Sequence, residues 1–182
     1  RRQNNVDLWA AKGLLETSRF GVAQWIPAEE PRPSLPDGPV VWVVIPPSSR
    51  AGLTPSPREQ SLLDATALLI LEDEPVLLNL QPSLLPRYGQ KDPWVNIVEG
   101  IGLSVDTEHV LVEQVATGPN RVEVQRSQMI EDMHSDHLIA RGVSGRQLFL
   151  PFPIRVSGGE PLIMIEATED HWLDANWELK MV

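Results

Sequence analysis

The sequence predicts a mainly β fold: an antiparallel sandwich or barrel of about eight to ten short strands, with a short N-terminal amphipathic helix and a Pro-rich arm. Short apolar and β-branched runs recur roughly every ten residues. Clusters of Gly, Asn, Asp and Ser separate these runs and supply tight turns. No helical pattern is long enough for the crossover that parallel strands need. We therefore expect antiparallel pairing.

The segment 1–39 is predicted to be an arm that precedes a β-rich domain over 40–182. From Asn5 to about Glu16 the apolar residues fall at helical spacing, and Asn5 is placed to cap the first turn. The stretch 27–39 then contains five prolines, which favour a stiff, extended chain. The arm is therefore expected to consist of a helix and a linker.

The first part of the domain predicts one buried strand, a helix start and a hairpin. The run Val40–Ile45 is β-branched and fits a central strand buried on both faces. Ser56–Glu59 has the form of a capping box with Pro at the first helical position. Leu68–Leu71 fits either the end of that helix or a new strand. The turn residues 72–75 favour a hairpin with Val76–Leu80.

The second part of the domain is predicted to be a succession of strands and turns. In 121–126 the residues alternate, so Val122 and Val124 are expected to lie on one face and the charged residues on the other, and one of the two faces is expected to be in solvent. The predicted strands cover 94–105, 109–116, 121–129, 138–143, 147–156, 162–167 and 177–182.

The composition indicates a globular, acidic protein. The 182 residues are 42% hydrophobic and 22% charged, which excludes wholesale disorder. The net charge of -10 repels phosphate backbones, so we expect no nucleic-acid partner. The absence of Cys removes disulfides and thiolate chemistry. No apolar run reaches the roughly 20 residues of a membrane span, so we expect a soluble protein.

The densest polar segment, 131–137, is the first candidate for chemistry. It contains His134 and His137 together with Asp132 and Asp136. Imidazoles and carboxylates are ligands for zinc-type ions and are also general acids and bases. The spacing matches no established metal motif, and a polar loop between two strands is the favoured explanation.

A third histidine, His171, lies between carboxylates in Glu169–Asp174. Carboxylates favour the charged imidazole, and a surface ion pair explains the pattern. If His171 packs near 131–137, the combined set supports a metal site or a general base. His109, next to Glu108, is predicted to be structural.

Other catalytic motifs are missing from the sequence. Ser144 lacks the spacing of a nucleophile elbow, and Gly100 with Gly102 lacks the third glycine of a dinucleotide loop. There is no phosphate-binding Gly-Lys-Ser/Thr motif. We therefore expect no cofactor.

Six tryptophans are many for this length. Trp42 and Trp94 lie in apolar runs and are predicted to be core residues. The other four lie in terminal segments of mixed polarity, where Trp is a frequent interface residue; the alternative is that they cover the edges of their own core. The predicted interface residues are Trp9, Trp25, Trp172 and Trp177.

These observations predict a non-catalytic module for protein–protein interaction or assembly, in which the arm and the tryptophan-bearing termini contact another protein or an identical subunit. The start at Arg1-Arg2 favours a fragment of a larger or processed protein. The alternative is a metal-assisted or acid–base hydrolase that uses the 131–137 loop and His171. A small-ligand cavity inside a barrel ranks third.

Overall fold

The computed structural model describes residues 12–13, 15–18, 20–35, 37–47, 52–130, 141, 147–161, 165 and 167–177. The chain divides into two compact units, Arg1–Gly38 and Pro39–Val182. In the first unit, residues 12–13 and 15–17 are helical. They include the C-terminal part of the predicted amphipathic helix, whose remaining residues lie outside the described ones.

The second unit consists mainly of short strands, which confirms the predicted β-rich class. Its described helices are α1 (Pro57–Leu71), the 3-10 helix η1 (Leu85–Tyr88) and α2 (Pro93–Glu99). Its described strands are β1 (Trp42–Val44), β2 (Val76–Leu78), β3 (Ser104–Asp106), β4 (Val110–Gly118), β5 (Arg121–Gln125), β6 (Ser127–Ile130), β7 (Leu148–Pro151), β8 (Arg155–Ser157) and β9 (His171–Asp174).

The described strands form four small sheets. β1 and β2 pair in parallel, whereas β3 with β8 and β6 with β7 pair antiparallel. The fourth sheet is antiparallel and has the order β5-β4-β9. None of these sheets closes into a barrel. The predicted barrel, and with it a ligand cavity inside a barrel, is therefore wrong for the described part of the chain.

The parallel β1–β2 pair corrects the expectation that all strands pair antiparallel. Helix α1 begins as predicted at Ser56, whose Oγ accepts the N–H of Glu59 at 3.2 Å. It then continues for 15 residues, which is enough for a crossover between parallel strands. Leu68–Leu71 therefore ends the helix, and the predicted hairpin with Val76–Leu80 is wrong.

Helix α2 replaces the first half of the strand predicted over 94–105. Asp92 caps it: Asp92 Oδ1 accepts the N–H of Trp94 at 3.0 Å. Pro93 occupies the first helical position, where its missing N–H costs nothing. The Asp cap and the Pro at the first position favour a helix more strongly than the β-branched residues after them favour a strand. Of the predicted strand, only Ser104–Asp106 is found as a strand.

The main core lies between the β1–β2 sheet and the two α-helices. Its buried centre is Val44, Leu63 and Trp94, and it is extended by the partly buried side chains of Leu62, Val76, Leu78, Leu80 and Ile97. The indole Nε1 of Trp94 donates to Oε1 of the buried Glu59 at 3.2 Å. This bond joins α1 to α2 and satisfies a polar group that burial would otherwise penalise.

Several predicted strands lie largely outside the described residues. This holds for 138–143 and for 177–182, where Trp177 is described and lies in a turn. In 162–167, the described residues 165 and 167 are not in a strand. Strand β9 was not predicted, because its sequence alternates poorly. No helix in the described segments is long and apolar enough to cross a membrane.

Candidate functional site

The predicted metal-binding or catalytic loop lies outside the described residues: this holds for Asp132, His134, Asp136 and His137. His171, the supporting histidine, opens β9. Within the described ranges, no three His, Asp or Glu side chains are grouped so that they could hold a metal ion.

His171 is held by the turn that precedes its strand. Its Nδ1 accepts the backbone N–H of Thr168 at 3.3 Å and lies 2.8 Å from Thr168 Oγ1. The His171 N–H in turn donates to the Thr168 carbonyl at 3.1 Å. Because Nδ1 is an acceptor here, the neutral ring carries its hydrogen on Nε2, which is then a donor and not a metal ligand. The ring of His171 thus has a structural role in starting β9.

A second histidine, His109, forms a polar corner with Asp106 at the β3–β4 turn. His109 Nδ1 lies 3.0 Å from both carboxylate oxygens of Asp106. Asp106 also accepts the backbone N–H groups of Glu108 and His109, each at 3.2 Å. Arg155, its cross-strand partner on β8, donates to it at 3.4 Å.

The electrostatics of this corner favour the Asp106 carboxylate. Partial burial by itself raises the pKa of Asp106, but the hydrogen bonds and charge of His109, with the N–H of Glu108, outweigh it and hold the pKa below its usual value. An Asp–His pair also occurs in hydrolases, where a nucleophile bonds to Nε2. The described residues place no such nucleophile against His109, so the pair fixes the β3–β4 turn, as predicted for a structural histidine.

A cavity of about 280 Å³ lies next to this corner, and four of its ten lining residues are carboxylates: Asp92, Glu99, Asp106 and Glu108. Four of its five charged groups are already engaged in the fold. The Lys91 ammonium pairs with Glu99, Asp92 caps α2, and Asp106 holds His109. The cavity is therefore an acidic surface depression without a catalytic pair.

Two of the four tryptophans predicted at an interface make contacts within their own unit. Trp25 Nε1 donates to the Glu30 carbonyl at 3.0 Å and thereby closes a local turn. Trp177 Nε1 donates to the Glu108 carbonyl at 3.2 Å, and its ring lies 6.1 Å from that of Phe152. Trp9 lies outside the described residues. Trp177 thus makes local contacts of the kind that the alternative for these residues expects.

Of the three predicted interface tryptophans that the structure describes, Trp172 is the most accessible, with 37% of its surface exposed. It pairs with Val112 across β9 and β4, and directly paired residues share one face of a sheet. That face begins in the core, because Val110 and Val112 are 0% exposed. Trp172 therefore lies where this face emerges from the core.

The hairpin of β4 and β5 continues the same face into solvent. Val124 pairs with Gln114 and Val122 with Ala116, so both valines lie on the face of Trp172. Val122 is 53% exposed. The predicted alternation is found, but both faces of β5 are exposed, because no described element covers the outer half of the hairpin. Apart from the exposed Gln114 of the same face, these residues form an apolar strip, here called the hairpin strip: Ala116, Val122, Val124 and Trp172.

A second exposed apolar surface lies on the β1–β2 sheet. Val43 and Leu77 pair with each other and are 55% and 61% exposed. They point away from the core that holds Val44. Val41 and Ile45, two residues to either side of Val43, are exposed as well. These four residues form the open face of β1–β2. The prediction that Val40–Ile45 is buried on both faces is therefore wrong.

Sequence reasoning missed the open face because it missed the parallel pairing. The available signal was a capped, 15-residue helix between two short apolar runs, which is the pattern of a β-α-β unit. Such a unit covers one sheet face with its helix and leaves the other to another element. Comparisons with family models, with curated proteins and with solved structures give no match for this chain.

Proposed function

We propose that the chain is a non-catalytic protein–protein interaction module that binds through sheet surfaces its own fold leaves uncovered. The observation that carries this is the open face of β1–β2. A parallel sheet is nearly always covered on both faces, whereas here α1 covers only one. The exposed side of the pair consists of Val41, Val43, Ile45 and Leu77, with no charged residue on β1 or β2.

The chemistry of this face fits a protein partner. Burial of apolar side chains is the main favourable term in most protein association, and contiguous exposed apolar patches mark interaction sites in soluble proteins. The absence of a charged group on the two strands removes the desolvation cost that a buried unpaired charge would impose. A helix or a sheet of the partner is the complementary shape.

Trp172 supports the same role from the second sheet, because a half-exposed indole beside valines is a typical interface anchor. The proposal also retains the helical, Pro-rich arm over 1–39 and a sandwich packing of the sheets, together with a contact role for Trp9 and Trp25. A metal-assisted or acid–base hydrolase remains the alternative, since Asp132, His134, Asp136 and His137 lie outside the described residues.

The test uses the full chain as immobilised bait in two variants. Val43→Glu places a charge in the centre of the open face, and Ile101→Glu places the same charge at another exposed apolar residue. We expect a protein retained by wild type and by Ile101→Glu to be lost from Val43→Glu, and binding to be reproduced with the purified partner. Equal circular dichroism spectra confirm that both variants fold.

Light scattering completes the test, because the partner can also be an identical subunit. If Val43→Glu changes neither the mass of the chain in solution nor the set of retained proteins, the open face is not an interface and the proposal fails. A loss shared equally by Ile101→Glu would contradict the specific role of the open face.

A further inference from the structure

The outer edge of the hairpin carries an inference that deepens the proposed function and rests on it. β5 is an edge strand, because β4 is its only neighbour among the described strands. All five of its residues are exposed. An edge strand presents backbone N–H and C=O groups that a strand of another chain can pair with. No Pro interrupts β5, although Pro is a common device against such pairing.

The two faces of β5 differ in chemistry. Val122 and Val124 lie on the face of the hairpin strip. Arg121 and Glu123 lie on the opposite face, where Arg121 Nη2 and Glu123 Oε1 are 2.6 Å apart. The strand thus carries one positive and one negative charge in alternation and has no net charge. A single-sign edge would repel an identical strand, and this edge does not.

Antiparallel pairing of β5 with β5 of a second copy has one register with full charge complementarity. When Val122 lies opposite Val122 of the other copy, Arg121 lies opposite Glu123 and Glu123 opposite Arg121. Opposite charges directly across a strand pair are stabilising. The two copies then bring together two ion pairs on one face and two valines on the other.

The neighbouring registers lack this match. With Glu123 opposite itself, two carboxylates meet, which is destabilising. With Val124 opposite itself, Arg126 lies opposite Val122 and Glu123 lies opposite Gln125. Neither Arg126 nor Glu123 then has a residue of opposite charge across from it. Registers that shift by one residue move side chains to the wrong face. The charge pattern therefore selects the register centred on Val122.

We infer that β5 is a self-association edge, which joins two copies of this chain antiparallel about Val122 into one continuous sheet. The arrangement has two-fold symmetry, the commonest form of homo-oligomer. It places the hairpin strips of both copies side by side on one face. The partner of this edge is thus a second copy of the chain.

Charge reversals test the register. Arg121→Glu and Glu123→Arg each turn both cross-strand ion pairs into like-charge pairs, so we expect the dimer dissociation constant to rise about tenfold or more. The double variant Arg121→Glu/Glu123→Arg restores both pairs and is expected to dimerise as wild type does. A mixture of the two single variants is expected to form heterodimers, because each copy then supplies one sign.

The measurement is sedimentation equilibrium of the full chain from about 10 µM to about 1 mM, in about 0.15 M salt to screen the general repulsion between acidic copies. Glu160→Arg, an exposed reversal outside β5, is the matched control for Glu123→Arg and is expected to leave the dimer unchanged. Unfolding midpoints identify any loss of fold.

Three outcomes overturn the inference. They are a wild-type chain that is monomeric over the whole range, single variants that dimerise as wild type does, and a mixture that forms no heterodimer. If wild type dimerises and only Val43→Glu abolishes the dimer, the edge is excluded while the proposed interaction through the open face is supported. The two proposals therefore fail separately.

Discussion

The β1–α1–β2 unit and the β5-β4-β9 sheet both leave valines exposed to solvent. In the first region the two faces of the sheet differ in burial, and in the second the two ends of the hairpin differ. In the first, burial alternates from side to side: Val44 is buried and Val43 is exposed. In the second, burial changes from end to end: Val110 and Val112 are 0% exposed, whereas every residue from Ala116 to Gln125 is exposed.

The difference shows that a covering element, and not strand propensity, decides which valine is buried. Helices α1 and α2 pack on one face of the short β1–β2 pair, around the core of Val44, Leu63 and Trp94. Strand β4 is long, and it is buried only over Val110–Val112, within the stretch that also pairs with β9. Valine side chains in β-strands therefore contribute very differently to the free energy of unfolding, depending on whether they are covered. Substitutions that keep the shape of valine can measure this difference.

The largest effect is expected at Trp94, which lies on α2 and packs against Val44 and Leu63 of the first region. Trp94→Ala removes a buried indole and is expected to cost about 3–5 kcal/mol of the free energy of unfolding, measured by urea denaturation. Trp94→Phe keeps most of the packing but loses the hydrogen bond to the buried Glu59, at a cost of about 1.5–3 kcal/mol. A cost below about 1 kcal/mol for Trp94→Ala would show that α2 does not complete this core.

The next effect compares the two ends of the hairpin. Val112→Thr places a hydroxyl in a fully buried position without changing shape and is expected to cost about 1–3 kcal/mol. Val122→Thr makes the same change in solvent and is expected to stay within about 0.5 kcal/mol of wild type. Equal costs in urea denaturation would mean that the outer half of the hairpin is covered after all.

A smaller effect with a characteristic pH dependence is expected at Asp106. Its folded pKa lies below its unfolded value, which is about 3.9. Its charge therefore stabilises the fold above that value, and the contribution is lost as the pH falls through the lowered pKa.

Asp106→Asn is accordingly expected to cost about 1–2 kcal/mol at pH 7 and to approach wild type below the folded pKa. Urea denaturation at neutral and acidic pH measures the difference. A cost that grows as the pH falls would contradict the direction of this pKa shift. Glu99→Gln, which alters a carboxylate on α2, serves as a control outside the corner.

The smallest effect is expected on the open face. Val43→Thr should change the free energy of unfolding of the isolated chain by less than about 0.5 kcal/mol, whereas Val44→Thr, one residue away, should cost about 1–3 kcal/mol. In a complex, by contrast, Val43→Thr is expected to have an effect, because it then weakens binding of the partner to the open face. A large loss of stability from Val43→Thr alone would mean that the face is already packed.

The sequence was informative wherever local chemistry decides the structure. The start of α1 at Ser56, the β4–β5 hairpin and the β-rich class of the chain followed from caps, turns and alternation. Asp92 and Pro93 form the same kind of helix start and are a sequence signal for α2. The β-branched residues that follow them favour a strand, and the strand prediction over 94–105 rested on those residues.

The rest depends on contacts between residues far apart in the chain. Parallel pairing of β1 with β2 is not local, and the pattern of Val40–Ile45 is the same whether one face or both are covered. The exposure of Trp172 depends on where β9 stops pairing with β4 and on how far β4 extends beyond that point. The candidate surfaces are defined by uncovered faces, which a linear pattern does not reveal.

The β4–β5 hairpin is also expected to form at a different stage of folding from the β3–β8 pair. Its strands are joined by a two-residue turn between the paired Gly118 and Arg121, and hairpins form in about 1–10 µs. Pairing of Ser104 with Ser157 must first close a long loop, and such distant contacts form more slowly. We therefore expect the β5 edge to be complete early in folding, before β3 and β8 pair. At high concentration during refolding, chains would then meet through this edge while the remainder of the domain is still assembling.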